Sequence, residues 1–248
     1  MNKKTAIIDF DGTLTRVRCG WDKKMKEFFL DKIFAEPANF NETQKQEALR
    51  QTDAWIERAP GTTIFQQMSA LSEILSAHQI THQLDELIEE FDTFSSDWEY
   101  ARVKELESEG ELEQLMLCGA RKFLDDLSDL GYELHLLSGT SHNKLIFECD
   151  TLGISRYFTH IQGYQSHLAS PYKLESMRKT LLDYGYEASH TLIIGDGLTE
   201  LEAGRELNCP CLGEEDGESC DYEKLGKLQE RGFEQVITNF DKAIALIP

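Results

Sequence analysis

The sequence predicts an α/β fold: a parallel sheet covered by helices on both faces, with a helical domain inserted behind the first strand. Three observations carry this. Short apolar runs that end in glycine or polar turn residues recur along the chain. Amphipathic helical stretches separate the later runs, which is the alternation a parallel sheet requires. The rhythm breaks once, from Arg16 to Leu115, where the pattern is helical almost throughout.

The first run, residues 5–9, is a buried strand whose carboxyl end opens into an acid- and glycine-bearing loop. Runs 133–138, 157–163, 191–195, 209–213 and 235–238 repeat that design. Helices are expected over 121–130, with Phe123, Leu124, Leu127 and Leu130 on one face, over 143–152 and over 174–184. In the inserted region three apolar stripes fall at helical spacing: Trp21, Met25, Phe28, Phe29 and Ile33; Ile64, Phe65, Met68, Leu71 and Leu75; Leu84, Leu87, Ile88 and Phe91. These stripes read as core faces. The expected division is a core of residues 1–15 and 116–248 around an insert of residues 16–115.

At 248 residues, 40% apolar and 28% charged, the chain has the composition of a globular protein with a sizeable core. A formal charge of −20 with no basic run argues against nucleic acid and anionic membranes as partners. An anionic small substrate therefore needs a local positive charge, such as a metal ion. The amino-terminal apolar stretch is interrupted by Asp9 and Asp11, so it reads as neither a signal peptide nor a membrane span, and a cytoplasmic location is expected. Six cysteines without a Cys-x-x-Cys pair are expected to be reduced thiols. The seven histidines share no metal-ligand spacing.

Four stretches carry chemistry. In Asp9-Phe10-Asp11-Gly12-Thr13, two carboxylates two residues apart point the same way if the strand continues, and Gly12 allows a sharp turn beside them. One acid is suited to attack phosphorus and the other to handle the leaving-group proton. Ser138-Gly139-Thr140 ends an apolar strand with a hydroxyl and amide N–H groups able to hold phosphate oxygens. Lys173 opens a helix, where a cation opposes the helix dipole unless an anion compensates it. Gly195-Asp196-Gly197-Leu198-Thr199-Glu200 places one acid after a strand and another in the following helix's first turn, hard oxygen ligands suited to magnesium. Each stretch alone also has an ordinary structural explanation as a turn or cap. Together and in this order they are far more specific.

In that order the four stretches resemble the motifs of the haloacid dehalogenase-like hydrolase superfamily, most closely its phosphoglycolate phosphatase-like members. The resemblance implies a Rossmann-like core with an α-helical cap inserted between the first and second motifs. It implies that Asp9 attacks the phosphoryl group to form an aspartyl-phosphate, while Asp11 protonates the departing alcohol and then activates water. A carboxylate oxygen of Asp9, the carbonyl of Asp11 and the side chain of Asp196 would hold Mg2+. Ser138, Gly139 and Thr140 would bind phosphate, and Lys173 would neutralise charge. The last acid is often aspartate in the family and is Glu200 here, which assigns it to outer-shell metal support. Substrate contacts are expected from Arg18 and Trp21, just after the first motif, and from Gly61 and Thr62 in a loop between cap helices.

A small phosphorylated metabolite, a sugar phosphate or a phosphoglycolate-like acid, is the expected substrate class; the oligomeric state is left open. A sugar phosphomutase would use the same two acids. A carbon–halogen hydrolase would need neither Asp11 nor the metal site. A phosphonate hydrolase would need a cap lysine, and Lys23, Lys24 and Lys26 cluster as on a wet helix face. A catalytically silent binding module would be expected to have lost Asp9, Asp11 or Lys173.

Overall fold

The computed structural model describes residues 3–35, 40–59, 62–165, 172–215 and 227–247. The chain divides into two compact units, one of Met1–Cys19 with Arg102–Pro248 and one of Gly20–Ala101.

The first unit is built on a six-stranded sheet of order β3-β2-β1-β4-β5-β6, every pairing parallel. Its strands are β1 (Lys4–Ile8), β2 (Tyr132–Ser141), β3 (Phe158–Tyr164), β4 (Thr191–Gly195), β5 (Cys211–Glu214) and β6 (Gln235–Ile237). Alternation along β1 sorts side chains to two faces. Ala6 and Ile8 join Leu134, Leu136, Leu192 and Ile194 in one core, closed by Phe123 and Leu127 of α5 (Ala120–Asp129) and Leu145 and Cys149 of α6 (His142–Thr151). Ile7 and Ile193 face the other way, against Tyr172 and Met177 of α7 (Tyr172–Tyr184) and Ala203 of α8 (Leu198–Leu207). Because helices cover both faces, the central strands read as continuous apolar runs; all five residues of β4 are buried. The strand order places β1 between β2 and β4, at the switch point of a doubly wound sheet, where ligands bind beyond the strands' carboxyl ends.

The second unit is helical: α1 (Trp21–Ile33), α2 (Glu42–Ile56), α3 (Ile64–Ala77) and the first part of α4 (Leu84–Glu109). Met25, Phe28, Phe29 and Ile33 pack with Met68, Leu71, Leu75, Leu87 and Phe91. Capping boxes open two of these helices, Asn41 with Gln44 and Thr63 with Gln66. Two residues expected in core stripes are exposed instead: Phe65, in the first turn of α3, and Leu130, at the end of α5. At helix ends the periodic face runs past the surface it covers. Among the described residues no helix is long and apolar enough to cross a membrane. Cys118, Cys149, Cys209 and Cys211 are free, whereas Cys19 is disulfide-bonded, contrary to the expectation of reduced thiols. Composition and spacing do not report which sulfurs a fold brings within bonding distance.

On β2, His135 is buried with its ring edge-on to Tyr184 at 4.7 Å. Tyr186 donates its hydroxyl to Glu133, so His135 Nε2–H donates to the Tyr186 oxygen at 3.0 Å. No partner meets Nδ1 among the described residues. Burial, with a smaller push from His160 and against the pull of Glu133, lowers this imidazole to about 4. The unfolded chain binds the proton near pH 6.5, so this part of the stability is complete above that pH and is lost as pH falls toward 4. Urea unfolding at pH 7 and pH 5 should show a loss of about 2 kcal/mol attributable to this group, a loss that His135→Gln removes.

Candidate active site

Asp9 follows β1 immediately, its N–H donating to Ile194 O of β4 at 2.9 Å. The chain then curls over its own buried plug. Phe10 and Leu14 are fully buried, and Phe10 O accepts from the N–H groups of Leu14 and Thr15 at 2.9 and 3.1 Å. Gly12 turns with φ +76°, and a Cβ there would lie 2.3 Å from Asp196 Oδ2. A bare glycine is therefore what lets the Asp196 carboxylate lie against the Asp9 loop.

Strand β2 continues past Ser138, the end of its expected run, to Ser141. Leu137 pairs with Gln162 and Ser141 with Tyr164, so Ser138, Gly139 and Thr140 stand opposite Gly163 alone. The bulge lifts three residues out of the ladder without ending the strand. Within it, Thr140 N–H donates to Ser138 Oγ at 3.2 Å.

Lys173, in the first turn of α7, meets the anions its position calls for. Its buried Nζ lies 2.9 Å from Asp9 Oδ1 and also donates to Glu200 Oε1. Thr199 Oγ1 donates to the other Glu200 oxygen at 3.0 Å. Gly195 makes room for this carboxylate, since a Cβ there would lie 2.2 Å from Glu200 Cγ. Burial pushes the Asp9 carboxyl up to about 8; the Lys173 ammonium works against that rise, and the Glu200 and Asp196 charges add to it. Burial opposes the Lys173 charge, but Asp9 and Glu200 outweigh it and hold the ammonium protonated.

Asp11 is held separately. Its Oδ2 accepts from Arg18 Nη1 at 2.6 Å and from Thr140 Oγ1 at 3.0 Å, and its Oδ1 from Thr15 Oγ1 at 3.5 Å. Arg18 Nη2 forks onto both oxygens of Glu148 at 2.8 and 3.0 Å. Arg18, expected on substrate, is thus ion-paired to two carboxylates, and Thr140, expected on phosphate, donates to Asp11. Trp21 opens α1 and Thr62 donates its hydroxyl to Ala59 O at 2.5 Å, both in the helical unit. Gly61 lies outside the described residues. No motif in the sequence marks Glu148. Its one signal was an acid beside Leu145, Cys149 and Leu152 on an otherwise apolar helix face.

The doubly wound parallel sheet and the carboxylate–lysine centre at its switch point define a Rossmann-like α/β enzyme core. Residues 3–208 match the haloacid dehalogenase-like hydrolase family, and the chain belongs to that family. Solved structures share the fold over nearly the whole chain. A predicted phosphatase from Clostridium acetobutylicum is 17% identical with a TM-score of 0.64, covering 100% of both chains. A predicted phosphoglycolate phosphatase from Haemophilus somnus 129pt is 13% identical at 0.60, covering 99% of this chain and 98% of that one. A beta-phosphoglucomutase from Clostridium difficile is 17% identical at 0.63, covering 97% and 92%. At these identities the likeness shows the fold. No curated protein matches the sequence.

Replacing Lys173 by Met leaves Asp9 and Glu200 buried without their ammonium, which should cost about 3–5 kcal/mol in urea unfolding. Adding Glu200→Gln should return part of that loss.

Proposed function

We propose that the chain is a magnesium-dependent phosphatase that hydrolyses small phosphate monoesters through an aspartyl-phosphate at Asp9. The observation that carries this reading is the buried Asp9–Lys173 pair at the carboxyl end of β1, with Asp11 seated two residues on by a separate set of donors.

The residues fit a magnesium ion. Asp9, Asp196 and Glu200 are three buried acids in a centre whose one ammonium, Lys173, pairs with Asp9 and Glu200, and a cation there would favour the ionised form of Asp9 that burial disfavours. Among the described residues no group of three or more His, Cys, Asp or Glu side chains is placed to hold a metal ion; magnesium asks for less, taking one or two carboxylates and keeping water. Asp9, the Asp11 carbonyl and Asp196 would hold it, and Glu200, engaged by Lys173 and Thr199, supports the set from outside. The ion supplies positive charge against the phosphate oxygens.

Asp9 attacks phosphorus, and the bond to the leaving oxygen breaks with its electron pair going to that oxygen, which takes a proton from Asp11. Asp11, now a carboxylate, takes a proton from the water that attacks the aspartyl-phosphate, releasing phosphate and restoring Asp9. Ser138 Oγ and the Gly139 N–H would hold phosphate oxygens, and Lys173 balances charge on nucleophile and phosphate. The helical unit takes the part of the cap, with Trp21, Gly61 and Thr62 as its candidate substrate contacts.

Phosphate release from a panel of small monoesters should require magnesium, stop with chelator, and fall about a thousandfold or more in Asp9→Asn. A folded wild type that instead moves phosphate between positions of a sugar would mark a phosphomutase. Magnesium chloride should raise the melting temperature of the wild type but not of Asp196→Asn, a readout that does not depend on turnover.

A further inference from the structure

We propose that Arg18 and Glu148 are positioning residues for Asp11, which fix the orientation of its carboxylate from helix α6. The inference rests on the reading of Asp11 as the acid/base, and it adds a part for Glu148 that no motif assigns.

Glu148 is buried among Leu145, Cys149 and Leu152, where a carboxylate needs a charged, hydrogen-bonded partner. Arg18 supplies it across 130 positions of sequence, with side chains only 12% and 4% exposed. A guanidinium is planar and rigid, so gripping both Glu148 oxygens through Nη2 also aims Nη1, which lies 2.6 Å from Asp11 Oδ2. The Thr140 hydroxyl, presented by the β2 bulge, reaches the same oxygen at 3.0 Å. Donors from two separate elements thus converge on Oδ2, and the plane of the Asp11 carboxylate follows from them. A lysine at position 18 would supply the charge without the fork. An arginine there only to meet substrate would need no buried acid behind it.

The test compares Glu148→Gln with wild type on a primary alkyl phosphate and on p-nitrophenyl phosphate. Nitrophenolate departs without a proton, whereas regeneration of Asp9 still requires Asp11 as base. Glu148→Gln should therefore release about one equivalent of nitrophenolate rapidly and then turn over about tenfold or more slowly, with kcat on the alkyl phosphate reduced similarly and KM not raised. Loss of burst and steady state together, or a rise in KM alone, would overturn the proposal. Arg18→Met with Glu148→Met removes both charges, so neither is left buried alone. A positioning pair predicts that this double variant stays slow with its burst intact; recovery of wild-type turnover would show the pair to be merely structural. If the wild type itself releases phosphate from neither ester, the phosphatase reading fails, and a crystal structure of Glu148→Gln decides the inference. Asp11 displaced from Arg18 and Thr140 supports it, and Asp11 unmoved refutes it.

Discussion

Lys173 holds its ammonium between Asp9, at the end of β1, and Glu200, in the first turn of the helix that follows β4. Desolvation works against every charge in that cluster, so the three groups are tolerable only together. Much of the local architecture answers this requirement. Gly195 is bare so that Glu200 can lie across it, Thr199 satisfies the second Glu200 oxygen, and α7 begins where its first turn delivers the lysine. The Asp9 N–H bound to Ile194 O keeps the two strand ends level, and the carboxylates with them.

Asp11 answers a different constraint. The donors around its carboxylate come from the loop after β1 and from the β2 bulge, and Arg18 among them is gripped in turn by Glu148 of α6. Asp9 is governed by buried charge and Asp11 by hydrogen-bond direction, although only Phe10 separates them in sequence.

The sheet was legible because its central strands are buried on both faces and so appear as unbroken apolar runs. The four motif positions were legible because residue type and order are enough to name them. Less was visible where structure depends on distant partners. Run 133–138 gave no sign that β2 resumes at Ser141 after a bulge, because a bulge is set by pairing with β3. Phe65 and Leu130 fit their helical stripes and are nevertheless exposed, since periodicity locates a face but not where its cover stops. Glu148 carries no mark in the sequence, because its partner is an arginine 130 positions away. The position of Arg18 just after the first motif marks it as a candidate, but nothing local points to its pairing with Asp11 and Glu148.

Gly12 and Gly195 have a consequence for how such a centre can be altered or transplanted. Each is a clearance rather than only a hinge: the gap at Gly12 is narrower than a methyl group and is filled by Asp196, and the gap at Gly195 is filled by Glu200. The first motif is thus cut to the shape of a residue encoded nearly two hundred positions later. Grafting one motif into another scaffold without its counterpart would bring the acids but not the fit between them, so the transferable unit is the interlocked pair of strand ends.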